Sequence, residues 1–98
     1  MTQTATDAVV DFAMDARIDA FPADVVEEGK RCITDGIAVI LAGSTAEASA
    51  IVRKQIRTAG GSEEATVLGP EPFRAPASLT ARANAVAGHA LDFDDTQL

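Results

Sequence analysis

Apolar positions recur every three or four residues along most of the chain, and the pattern breaks at prolines and paired glycines. That period marks one face of an α-helix. The spacing predicts a first helix over residues 6–20, with Ala8, Val9, Phe12, Ala13 and Ala16 in one stripe. Thr6 suits its N-cap, and Asp7 suits the positive end of the helix dipole. Pro22 fits a first helical turn, so a second helix is expected to start there and run to residue 42. Val25, Gly29, Cys32, Ile33, Gly36, Ile37, Ile40 and Leu41 keep its period. Gly29 and Gly36 fall on one face. Each costs about 1 kcal/mol relative to Ala inside a helix. Close approach of a neighbouring helix is the expected compensation, and a kink is the alternative. Gly43 is expected to stop the helix as a C′ residue. Both sides of the helix near that end should be covered.

Residues 46–59 predict a third helix. Ala50, Ile51, Lys54 and Ile56 give a weaker stripe, and Arg53, Lys54 and Arg57 are placed on the wet side near the C-terminal end. Gly60-Gly61 ends it. Ala65-Thr66-Val67-Leu68-Gly69 is short and β-branched, with Pro70, Pro72 and Pro76 close behind. It reads as a β arm, a two-stranded hairpin if Phe73-Arg74-Ala75 returns, confined to an edge by its prolines. Ser78 is the expected N-cap of a last helix over residues 79–91. Leu79, Ala83, Val86, Ala87 and Ala90 line one of its faces, and further alanines suggest tight packing in a bundle interior. The fold class expected is therefore all-α: a bundle of about four helices with one short β arm.

A chain of 98 residues allows one small domain with a modest core. The net charge of -7 and pI near 4.4 argue against a nucleic-acid partner and disfavour anionic membranes. No apolar run approaches the roughly 20 residues of a membrane span. Residues 1–7 lack the basic start of a secretory signal. Cys32 stands alone, so no intrachain disulfide or cysteine-built metal site forms, and it reads as a small core residue. A cytoplasmic location is expected.

Polar chemistry concentrates in Gly88-His89-Ala90-Leu91-Asp92-Phe93-Asp94-Asp95-Thr96, directly after an Ala-rich helical run. Close carboxylates in a partly buried site raise at least one pKa, which suits general acid–base work near neutral pH. His89 lies one helical turn before Asp92, so the two share a face if the helix persists. Thr96 can hydrogen-bond a carboxylate. The plainer reading is a solvated acidic loop, which opposes the helix dipole. Asp oxygens also suit hard cations, but the ligand set is thin and no metal is expected.

The order of features adds to this. Phe21-Pro22-Ala23-Asp24-Val25-Val26 opens a helix carrying Lys30-Arg31 and Asp35 and closing at Leu41-Ala42-Gly43. A helix ending in Gly60-Gly61 follows, then Glu64-Ala65-Thr66-Val67-Leu68-Gly69. Pro76 and Asn84 lead into the His-Ala-Leu-Asp-Phe-Asp-Asp-Thr motif. Over residues 8–96 this resembles the N-terminal end of the 2-methylcitrate dehydratase (MmgE/PrpD) family, which includes cis-aconitate decarboxylases. The resemblance implies that residues 1–98 are the N-terminal portion of a longer all-helical domain, without the family's α+β lid. It implies a lyase acting on small di- or tricarboxylates by elimination or decarboxylation, with no cofactor. It assigns Asp92 and Thr96 to the active-site wall. His89 and Asp95 are weaker candidates for substrate contact or support, and for His89 the preferred reading is helix packing or support of a neighbouring site residue.

Relatives carry a histidine shortly after this motif, whereas Gln97-Leu98 follow here. Later lysine and histidine contributors are also missing, as are the cations a polycarboxylate needs. The expectation is an N-terminal fragment of such an enzyme, inactive alone. The alternative is a non-catalytic helical interaction module or the remnant of a truncated gene. Apolar helix faces, and the dimers common in the family, both suggest a homo-oligomer.

Overall fold

The computed structural model describes residues 2–93, so Asp94, Asp95 and Thr96 of the terminal motif lie outside the described residues. Along the chain run α1 (Ala5–Asp15), a short 3-10 turn (Ile18–Ala20), α2 (Ala23–Gly43), α3 (Glu47–Ala59), β1 (Ala65–Val67), β2 (Phe73–Ala75) and α4 (Ala77–His89). The expected helical fold with one short β arm is the fold observed. The chain divides into two units, residues 1–31 and 32–98, with the boundary inside α2. Among the described residues no single helix is long and apolar enough to cross a membrane.

In the first unit, α1 is capped by Thr4 rather than by Thr6. The Thr4 hydroxyl accepts from the Asp7 backbone N–H (3.1 Å), and the Asp7 carboxylate accepts from the Thr4 backbone N–H (3.0 Å). This reciprocal box needs an acid three residues after the cap. Thr4 has Asp7 there, whereas Thr6 would have Val9. The helix stops at Asp15, short of the expected Ala20, and Ala16 is extended. Asp7, Asp11 and Asp15 recur every four residues, so like charges stack on one row, and Asp15 sits at the negative end of the dipole with no cation in the last turn. The predicted stripe exists as a face but is uncovered: every residue from 2 to 20 is exposed, Phe12 to 69%. The first turns of α2 carry ion pairs between Lys30 and Glu27 (2.9 Å) and Arg31 and Glu28 (3.4 Å).

The core lies in the second unit. Ile56, Val67, Ala75 and Ala83 form it, with Val52, Phe73 and Leu79 packed around them. The strands pair antiparallel, with Ala65 opposite Ala75, Thr66 opposite Arg74 and Val67 opposite Phe73. Their period of two sends Val67 and Ala75 into the core and Thr66 and Arg74 outward, where the guanidinium donates to the Thr66 hydroxyl (3.2 Å). On α4, Asn84 holds the arm. Its side-chain carbonyl accepts from Leu68 N–H (3.0 Å) and its amide donates to the Thr66 carbonyl (3.1 Å). Gly60, at φ 67°, ends α3 as expected.

Several expectations are corrected here. Gly43 is the last residue of α2, buried, and helical rather than a left-handed stop. A methyl group there would overlap the Ala87 carbonyl of α4, so the glycine serves close packing. Gly29 and Gly36, given that role from the sequence, have open space where a Cβ would stand. The buried face of α3 is Ser49, Arg53 and Ile56, whereas Ala50 and Ile51 are exposed. Arg53 is only 9% exposed because its guanidinium donates to the Leu68 and Pro70 carbonyls. Cys32 is exposed, as are Ile33, Ile37 and Leu41, so one side of the C-terminal part of α2 is covered rather than both. Contact with α4 comes at Ile40 and Gly43, well beyond Cys32. The last helix starts at Ala77 after an N-cap at Pro76, and the Glu64 carboxylate rather than Ser78 accepts from its first N–H (3.2 Å). Its buried face is Thr80, Ala83 and Ala87, while Ala81, Ala85 and Ala90 are exposed, so α4 is not a bundle-interior helix here.

Candidate functional site

The polar motif begins where α4 ends. Three features stop the helix after His89. Ala90 N–H tightens onto the Ala87 carbonyl (3.3 Å), Asp92 N–H reaches the His89 carbonyl (3.2 Å), and Asp92 turns into the left-handed region at φ 53°. A non-glycine residue pays a conformational cost there, and Asp is among those that tolerate it best. The turn sets the Asp92 carboxylate 3.7 Å from Nε2 of His89. The two side chains are 83% and 76% exposed. His89 also stands in the last turn of α4, where the dipole favours a cation.

Beside this pair lies a cavity of about 350 Å³ between α2 and α4. Val39, Ile40 and Gly88 give it an apolar floor, and Cys32, Asp35 and His89 give it polar groups. His89 therefore lines an open cavity. Asp35 and Cys32 were not anticipated at this place. The signal was present in their spacing, because Cys32, Asp35, Gly36 and Val39 follow the three-and-four rhythm of one helical face. Of the four predicted site residues, His89 and Asp92 come together. Asp95 and Thr96 lie outside the described residues. Among those described, no three of His, Cys, Asp and Glu converge to hold a metal ion.

At 3.7 Å the imidazole and the carboxylate stand beyond direct hydrogen-bond reach, so a proton would pass between them only through a bridging water. Among the described residues that line this cavity there is no lysine or arginine. A polyanionic ligand at this end would need positive charge from elsewhere.

Comparison with known proteins bears on this motif directly. The model of the MmgE/PrpD N-terminal domain matches residues 7–98, which include the whole α4 end. The chain is 27% identical over 96 residues to a cis-aconitate decarboxylase from Mus musculus, covering 98% of the chain and 20% of that protein. It is 33% identical over 72 residues to a cis-aconitate decarboxylase from Homo sapiens, covering 74% of the chain and 15% of that protein. The chain thus spans a fifth or less of the length of these relatives. No solved structure matches it. With α2, α3, α4, the β arm, the histidine–aspartate turn and all but the first two residues of α1 inside the matched span, the chain belongs to the MmgE/PrpD family, matching the model of its N-terminal domain.

Proposed function

We propose that this segment forms part of the active-site wall of a lyase acting on small di- or tricarboxylates, with Asp92 as a proton-transfer group and Thr96 as a hydrogen-bonding contact to substrate. The observation that carries the reading is the left-handed turn at Asp92, which holds its carboxylate beside His89 at the mouth of a cavity. Backbone conformations of this cost concentrate at working sites. Decarboxylation is favoured over dehydration, because the two relatives above are named as decarboxylases. In that reaction the bond to a carboxyl carbon breaks, carbon dioxide leaves, and the electron pair left behind takes a proton from an acid. The Asp92–His89 pair can supply it, with His89 replenishing the proton. Asp95 is a further candidate for supporting Asp92, and no cofactor is invoked.

The test is made in a polypeptide of the relatives' length that contains this segment, with cis-aconitate and 2-methylcitrate as substrates. Asp92→Asn lowers turnover by about 10²-fold, the scale of one lost acid–base group. Undiminished turnover by that variant overturns the assignment.

A second reading, an interaction module, draws on α1. This 11-residue helix buries nothing, and its Val9, Phe12 and Met14 side chains are all exposed. Helices shorter than about 12–15 residues are marginal in water without packing. A homo-oligomer through such apolar faces is the corresponding proposal. Sedimentation showing only monomer at micromolar concentration, with α1 still folded, overturns it.

A further inference from the structure

Three of the chain's eight Lys and Arg residues, Arg53, Lys54 and Arg57, line one cleft of about 410 Å³ between α3 and the turn joining β1 to β2. The protein as a whole carries a net charge of -7, so this cleft inverts its field locally. The spacing along α3 crowds the cations together, and their partners do not cancel the charge. Arg53 donates to the backbone carbonyls of Leu68 and Pro70. Arg57 donates through one nitrogen to the Glu71 carbonyl (3.0 Å), and its guanidinium lies 4.3 Å from the centre of the Phe73 ring. Carbonyl dipoles and a ring face solvate a cation but leave its charge in place. Among the described residues no carboxylate comes within ion-pair distance of any of the three.

Arg53 stands in this cleft partly withdrawn from water. Burial pushes its pKa below the ordinary arginine value, repulsion from Arg57 pushes the same way, and Glu71 opposes only in part. Meanwhile donors remain uncommitted around the cleft. The exposed Lys54 ammonium and the Thr45 hydroxyl make no hydrogen bond among the described residues, and only Nη2 of Arg57 is engaged.

We propose that this cleft binds a small, multiply charged oxyanion, a phosphate or a polycarboxylate, with Lys54 and Arg57 as the contacting cations and Arg53 as the buried charge behind them. Thr45 supplies a neutral donor from the opposite wall. Two negative charges on one ligand match a cleft whose three cations outnumber its single acid, Glu71. This assignment stands apart from the lyase reading and uses none of its residues.

The experiment is an amide chemical-shift titration of the 15N-labelled chain with inorganic phosphate and, separately, with citrate, at ionic strength held constant by sodium chloride. Saturable shifts confined to residues 44–57 and 69–71 are expected. Saturation by phosphate alone identifies a phosphoryl ligand, and saturation by citrate alone a polycarboxylate. Because Lys54 holds no other group, Lys54→Gln leaves the fold intact and weakens binding about tenfold, as expected for one lost charge-assisted contact. Arg82→Gln, on α4, leaves binding unchanged. Two results overturn the proposal: linear shifts with neither anion saturating by about 10 mM, ten times a dissociation constant of ~1 mM, or affinity for the saturating anion that Lys54→Gln leaves unaltered.

Discussion

Replacing Gly43 by alanine tests the packing of the second unit most directly. On helix propensity alone the change is favourable, because alanine gains about 1 kcal/mol over glycine inside a helix. The backbone of Gly43 is helical, so no conformational penalty opposes it. What opposes it is the Ala87 carbonyl of α4, whose oxygen occupies the space a Cβ would take and whose carbon lies 2.9 Å away. Neither atom belongs to a flexible side chain, so relief requires α2 and α4 to separate. Separation also disturbs Ser49, whose hydroxyl donates to the Gly43 carbonyl (2.7 Å). Overpacking of this kind costs typically about 1–3 kcal/mol, and a backbone-on-backbone clash belongs at the upper end. After the propensity gain a net loss of about 2 kcal/mol remains, equivalent to a midpoint roughly 8–16 °C lower for a domain of this size. Gly36→Ala is the control: the same helix gains the same propensity, and nothing lies within 4 Å of the new methyl. It stabilises by about 0.5–1 kcal/mol. Urea and thermal unfolding followed by circular dichroism measure both. If Gly43→Ala proves as stable as Gly36→Ala, the close approach of α2 and α4 is not a feature of the folded protein.

Other outcomes follow from single residues. The two Thr4 hydrogen bonds hold the Asp7 carboxyl below its ordinary value of 3.8. A depressed folded pKa means the cap's contribution is complete above that value and is lost as pH falls through the lower one; acid titration of helicity should show this step, and Asp7→Asn should remove it. Arg53→Leu keeps the stem but strands the Leu68 and Pro70 carbonyls, and should cost about 2–4 kcal/mol in urea unfolding. Asn84→Leu removes the partners of Leu68 N–H and Thr66 C=O and should cost about 1–3 kcal/mol, with weakened exchange protection along β1. The 98-residue chain alone should turn over neither cis-aconitate nor 2-methylcitrate in a steady-state assay, because positioning and acid–base transfer act together.

The helices and the β arm were legible because their signals are local. The three-and-four rhythm, Pro22, Gly60-Gly61 and the β-branched Ala65–Val67 run each act within a few residues. The roles of individual residues depended on neighbours distant in sequence. Arg53 looked like a solvent-facing cation until the carbonyls of Leu68 and Pro70 were seen to converge on it. From the sequence Gly36 was expected to serve close packing and Gly43 to stop the helix, and the position of Ala87 moves the packing role to Gly43. Thr4 outranked Thr6 through its match to Asp7, a local rule that the sequence already contained. At the candidate site, the spacing offered His89 and Asp92 a shared face only if the helix persisted; the helix ends at His89, and a left-handed turn at Asp92 brings the two together instead, while the cavity beside them required α2 to be placed against α4.

The arginine clamp on the turn between β1 and β2 has a consequence for sequence variation. Arg53 and Arg57 grip main-chain oxygens of Leu68, Pro70 and Glu71, and every residue type presents such an oxygen. The clamp is therefore blind to most side chains it holds. Gly69 is the exception, since its φ of 127° and the nearness of Ser44 and Arg53 leave no room for a Cβ. Substitutions can accumulate at positions 68 and 70 without loosening the turn, while a single change at 53 releases both the Leu68 and the Pro70 carbonyls and leaves only Arg57 on Glu71. One set of bonds thus permits diversity in the loop and demands constancy in the helix beneath it.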